Sequence, residues 1–157
     1  MTENEKILLH EFELIKSDLI NKHKALGMEA SGKWINGLEI VQNALNIKII
    51  GEPYTRQLVS GRPPSQKMPP IEALKQWIID KGLVSGMKAS SVTSFAWAIA
   101  KKIQKEGTRY YPEGTDLVEA VVTPQRIQSI IDKVGNQMVT EATETIVTLT
   151  REFQKIA

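Results

Sequence analysis

Two histidines, a few paired carboxylates and one cluster of cations are the side chains of this chain whose types and spacing invite chemistry. His10 and His23 stand thirteen residues apart, outside the i, i+4 spacing with which one helix presents two imidazoles to a zinc ion. Glu11 with Glu13, and Glu141 with Glu144, fall on the solvent faces of expected helices, where a carboxylate solubilises far more often than it acts as a general acid. The sequence has no glycine-rich phosphate loop, no Gly-x-Ser-x-Gly elbow and no Asp-rich calcium loop. The expectation is a chain without a catalytic residue, metal site, cofactor or small-molecule substrate. Lys101, Lys102, Lys105 and Arg109, beside Tyr110 and Tyr111, form a candidate DNA-facing patch, since cations neutralise phosphates and aromatic rings stack on bases. A solvated helix face completed by loop aromatics accounts for the same residues.

The charge distribution extends that patch. Residues 1–30 carry four Lys or Arg against six Asp or Glu, residues 31–111 carry twelve against five, and residues 112–157 carry four against seven, for a net +2. A basic middle between acidic ends suits nucleic acid, an acidic partner, or the chain's own ends across a subunit boundary. With 41% apolar and 24% charged residues, 157 residues suffice for one domain with a core. The absence of cysteine excludes disulfides and thiolate metal sites and points to a reducing compartment. The longest apolar run, Phe95 to Ala100, is far short of the roughly 20 residues of a membrane span, so no membrane partner is expected. Thr2, Glu3, Asn4 and Glu5 before Lys6 are the reverse of a signal peptide's basic start.

The elements that must position these residues follow from capping and periodicity. Thr2 with Glu5 has capping-box spacing, and Leu8, Phe12, Ile15 and Leu19 then share one face of a helix that Gly27 can close, within a segment 1–29. That face packs on its own core or on a neighbouring subunit. Residues 30–61 read as a hairpin with strands at about 33–42 and 46–51, joined by a turn that is not one of the tight types, with a short third strand at Gln57–Val59 before Gly61. Residues 62–70 hold Pro63, Pro64, Pro69 and Pro70 and read as a loop, either functional or a spacer. Residues 71–157 read as mainly helical, with helices from Ile71 to Asp80, from Ser90 or Ser91 to Glu106, and from Thr123-Pro124 onward. Leu117–Val122 is a strand or the close of a loop. Phe95, Ala98, Ile99 and Ile103 are expected inward, and Trp77 and Trp97 are expected in the core. Ile127, Ile130, Ile131, Val134, Met138, Ala142, Ile146, Leu149, Phe153 and Ile156 mark a helical stripe, against a competing strand over Val139–Thr150.

An N-terminal helix, then Ala30-Ser31-Gly32-Lys33-Trp34-Ile35-Asn36-Gly37-Leu38, a strand from Ile47 to Gly51, Tyr54, and the exit Val59-Ser60-Gly61-Arg62-Pro63-Pro64 resembles the tail-completion or neck proteins of tailed bacteriophages. The stretch from Phe95 to Arg109 resembles the corresponding helix of phage neck proteins, including ring proteins of crAss-like phages. The resemblance covers most of residues 1–134. It implies a single α+β domain over 1–157, with a long N-terminal helix, a small twisted antiparallel sheet and several helices ending in a long one. It also implies a virion protein, made in the bacterial host cytoplasm, that forms a homo-oligomeric ring of six or twelve subunits. The ring would join portal or adaptor to tail proteins around the DNA channel. In that setting Leu8, Phe12, Ile15 and Leu19 would meet neighbouring subunits. Tyr54, Gly61, Arg62, Pro63 and Pro64 would meet a partner ring, and Lys101, Lys102, Lys105 and Arg109 would face packaged DNA.

Overall fold

In a computed structural model, which describes residues 1–156, Thr2 and Glu5 close the expected capping box. The Glu5 N–H donates to Thr2 Oγ1 at 3.2 Å and the Thr2 N–H donates to Glu5 Oε2 at 2.7 Å. The helix they start, α1 (Glu3–Ala25), ends with Gly27 N–H on the Lys24 carbonyl and Met28 N–H on the His23 carbonyl, a Schellman arrangement. Then come α2 (Lys33–Asn36), strands β1 (Glu39–Asn43) and β2 (Asn46–Ile50), and helices α3 (Thr55–Ser60), α4 (Ile71–Asp80), α5 (Ala89–Glu106) and α6 (Pro124–Ile156). The fold is α+β, with one two-stranded antiparallel sheet among the described residues.

Three expected features differ. The first strand begins at Glu39 rather than near 33, because Asn36 and Gly37 N–H groups bond back to Gly32 and Lys33 and wind α2. This turn carries Trp34 into the interior, where its ring stacks on His23 at 4.3 Å and its Nε1–H donates to Thr55 Oγ1 at 2.9 Å. Burial of that indole outweighs the β propensity of its neighbours. The hairpin turn is in fact tight, two residues between β1 and β2, with Ala44 at φ 52. The third strand is absent, since residues 57–59 lie within α3.

The chain groups into two compact units, one of residues 1–17, 40–49 and from 122 onward, the other of residues 18–39 and 50–121. In the first unit α1 and α6 are tied by polar pairs: Lys133 Nζ to Glu11 Oε1 at 2.5 Å, and Asn4 Nδ2 to Glu141 Oε2 at 3.2 Å. Because the later α1 residue meets the earlier α6 residue, these pairs run antiparallel. Glu11 is buried and Glu141 half-buried, so neither sits on the solvent face expected for it, while Glu13 and Glu144 are exposed. Thr123 Oγ1 accepts from the Arg126 N–H and Pro124 opens α6. Residues 139–150 are helical, and the strand alternative is excluded.

The second unit holds a core of Ile78, Val92 and Ala96, with Ile71, Leu74, Val84 and Ile99 packed on it. Ala96 and Ala100 are fully buried, and such small side chains let α4 and α5 approach closely. The inward face of α5 is therefore Val92, Ala96 and Ala100, whereas Phe95 and Ala98 are exposed. Trp77 and Trp97 are exposed too, contrary to their expected core positions. Leu117 and Val121 are buried in successive turns rather than in a strand.

His23, near the end of α1 and stacked on Trp34, has its Nδ1 buried and without a hydrogen-bond partner. Burial pushes its imidazole below the ordinary 6.5, against the pull of the Glu29 carboxylate and with smaller help from Lys81 and Lys24. The neutral form is thus favoured in the fold, while the unfolded chain takes up a proton near 6.5. Stability from this group is complete above that value and is lost as pH falls toward the lower folded value. Melting temperature is expected to drop between pH 7.5 and 5.5, with a smaller drop in His23→Gln. Equal slopes in the two proteins would show that His23 is not the titrating group.

Candidate assembly and partner surfaces

Segment 58–67 is strapped to segment 104–115 by backbone bonds in which glycines permit the approach. The Arg62 N–H donates to Thr108 Oγ1 and the Thr108 N–H donates to the Arg62 carbonyl, both at 2.9 Å. The Thr115 N–H and Oγ1–H donate to the Val59 and Leu58 carbonyls at the free end of α3, where no intrahelical donor remains. The Ser65 N–H donates to the Gln104 carbonyl at 3.1 Å, and Gln104 Nε2–H donates to the Gln66 carbonyl at 2.6 Å.

Gly61 has φ 75 and ψ 170, and Gly107 has φ 81 and ψ −174, a region that L residues essentially never occupy. A Cβ on Gly61 would stand 2.5 Å from the Tyr111 nitrogen, and one on Gly107 would stand 2.5 Å from the Arg62 oxygen. Gly61 therefore ends a helix, not the sheet, and it is buried. Of the loop residues expected to meet a partner, Pro63 and Pro64 are exposed, Arg62 and Tyr54 are half-buried, and the backbone is fastened on both sides of the prolines. Burial, then the Glu52 carboxylate, raises the Tyr54 phenol above its ordinary value.

On α1 the four residues expected at a subunit interface divide. Ile15 and Leu19 are interior and offer no surface. Leu8 and Phe12 are half-buried and line an open apolar groove of about 570 Å³ with Leu45, Ile47, Ile127, Ile130 and Ile131, all in the first unit. Leu45 and Ile47 were legible as hairpin residues, but their convergence with α6 depends on the tertiary fold.

Beyond Glu141, α6 passes the start of α1, and its described side chains from residue 142 to 155 are exposed on every side. This overhang carries Ile146 (63% exposed), Leu149 and Phe153 (72% exposed) at intervals of three and four. The side chain of Ile156 lies outside the described residues.

The four expected DNA-facing cations, Lys101, Lys102, Lys105 and Arg109, are all exposed, and Arg109 stands over the Tyr110 ring at 5.0 Å. Lys101 and Lys105 share a ridge one turn apart, while Lys102 points about 100° away from Lys101. Trp97 lies on the Lys101 ridge one turn earlier, a spacing visible in the sequence but obscured by its assignment to the core. The two histidines have different settings, His10 exposed and His23 buried. No group of three or more His, Asp or Glu among the described residues is placed to hold a metal ion.

Gly61→Ala is expected to cost about 3 kcal/mol or more, from strain of about 1–3 kcal/mol plus the backbone clash, lowering the melting temperature by roughly 6–12 °C. Gly135→Ala, inside α6 with open space around it, is expected to be neutral or to stabilise by about 0.5–1 kcal/mol. Similar melting temperatures for the two variants would mean that the strap does not hold the fold. No family model, curated protein or solved structure matches this chain.

Proposed function

We propose that this chain is a structural, non-enzymatic subunit that closes head-to-tail into a ring. As its resemblance to phage neck proteins implies, that ring joins portal or adaptor to tail proteins in a virion and surrounds the DNA channel. The α6 overhang carries the reading. An apolar stripe in water is unfavourable, and each of Ile146, Leu149 and Phe153 gains about 1.5–3 kcal/mol when buried.

The apolar groove between α1, the hairpin and the start of α6 is a fitting receptor for that stripe. A chain cannot fill its own groove, because Ile130 and Phe153 are 23 residues apart on an uninterrupted helix, roughly 35 Å. The occupant is therefore a second copy. A contact between two different surfaces repeats head-to-tail and closes into a ring when its rotation permits. Three anchors supply at most roughly 4.5–9 kcal/mol, inside the range of roughly 4–15 kcal/mol that association costs. A single contact is thus marginal, and closure, which holds each subunit twice, makes the assembly stable.

The absence of cysteine makes the contact directly testable. A protein carrying Phe153→Cys and Leu45→Cys, oxidised at high concentration, is expected to give a ladder of cross-linked multimers. Peptide mapping should find position 153 of one copy joined to position 45 of another. Leu149→Asp with Phe153→Asp should keep its helical circular dichroism and lose assembly. Failure to link 153 to 45 between copies, or assembly undiminished in the Asp variant, would reject this contact.

A further inference from the structure

The basic stretch of the second unit gains a definite shape from the strap. Trp97, Lys101 and Lys105 follow one another at i, i+4 along α5 and make a single exposed ridge. Gln104 is on the neighbouring row, and its two bonds to Ser65 and Gln66 bring the strap alongside that ridge. Arg62 Nη2 in turn donates to the Lys67 carbonyl at 2.9 Å, which draws a second pair of cations together on the strap. Among the described residues, Lys67, Lys101 and Lys105 form no salt bridge. Glu106, the one acid on α5, lies off the ridge. Trp97 keeps 44% of its surface in water although larger apolar burial was open to so big a side chain.

We propose that Trp97, Lys101 and Lys105, with Arg62 and Lys67 of the strap, bind single-stranded nucleic acid without sequence preference. The cations meet phosphates and the indole receives an unpaired base. An acidic protein surface would satisfy the charges but not the exposed indole in line with them, whereas every base offers a π-face at that position. The strap makes this more than a helix with lysines, because the backbone that carries Arg62 and Lys67 is fastened to α5 and Thr108. The site lies within one chain and does not depend on ring closure.

The test is fluorescence anisotropy of a labelled oligothymidine with the full chain, between 50 and 200 mM salt. About four neutralised phosphates give a slope of log K against log salt near −3, since single strands contribute about −0.7 per phosphate. Lys101→Glu with Lys105→Glu should reduce that slope by about 1.4 and weaken binding at least tenfold. Lys102→Glu, which changes net charge as Lys101→Glu does but off the ridge, should weaken binding several-fold less than Lys101→Glu. Trp97→Ala should weaken the single strand roughly tenfold and leave weaker duplex binding unchanged. Circular dichroism checks that each variant is folded.

Repeating the titration in the Leu149→Asp, Phe153→Asp protein separates this site from assembly, and undiminished binding there is the expected result. No binding at 50 mM salt, equal losses for Lys101→Glu and Lys102→Glu, or binding of polyglutamate in preference to the oligonucleotide would overturn the proposal. Loss of binding in the Asp variant would do the same.

Discussion

Gly61 passes the Tyr110-Tyr111 backbone, and Gly107 passes the Arg62 carbonyl, closer than a β-carbon would allow, and the placement of the whole strap depends on those two contacts. Four prolines between 63 and 70 remove their own N–H donors and fix φ, so the segment has few donors to satisfy and little freedom to lose. Three of the donors that remain fasten the segment: Arg62 on Thr108, Ser65 on the Gln104 carbonyl of α5, and Lys67 on Ser65 Oγ. A proline-rich stretch that reads as a loop from sequence is therefore fastened within the chain's own fold. Pro63 and Pro64 project from a fixed base, and Arg62 and Lys67 are held beside α5.

In the first unit the corresponding constraint is polar. A buried carboxylate such as Glu11 is costly to leave unpaired, so Lys133 must reach it. Asn4, Gln137 and Glu141 repeat the link two turns away. Paired so, the two helices have one antiparallel register, and a slide along the groove would break both links at once. Ion pairs of this kind add more to register than to stability. The register also sets where α1 runs out, which is why α6 continues beyond its support.

Local chemistry was legible in the sequence, and tertiary competition was not. The Thr2–Glu5 box, the Gly27 and Gly107 helix ends, the Thr123-Pro124 start and the span Ile71–Asp80 are fixed by caps and periodicity over a few residues. Trp34 was misplaced in a strand because its preference was overridden by a distant stacking partner, His23. On α5 the sequence pattern places Phe95, Ala98, Ile99 and Ile103 inward, whereas close packing against Ile78 selects Val92, Ala96 and Ala100, with Ile99 beside them. That choice turns Trp97 outward and splits the lysine cluster. The apolar groove was invisible for the same reason: Leu8, Phe12, Ile47 and Ile130 converge from three segments.

In the proposed assembly a single helix carries both the receptor and the anchor. The groove takes Ile127, Ile130 and Ile131 from the first turns of α6, and the stripe takes Ile146, Leu149 and Phe153 from its last turns. With receptor and anchor on one uninterrupted helix, the distance between successive contacts is set by helix rise, roughly 35 Å, rather than by a flexible linker. Variation in that distance is then small, and the rotation at each contact decides whether the series closes or runs on as a filament. Gly135 is where the helix between the two ends bends most easily, since it lacks side-chain packing and has the weakest helical preference of the residues between them. A bend there changes the angle between receptor and anchor without disturbing either surface, so in the proposed ring curvature and contact strength are governed by different residues of the same helix.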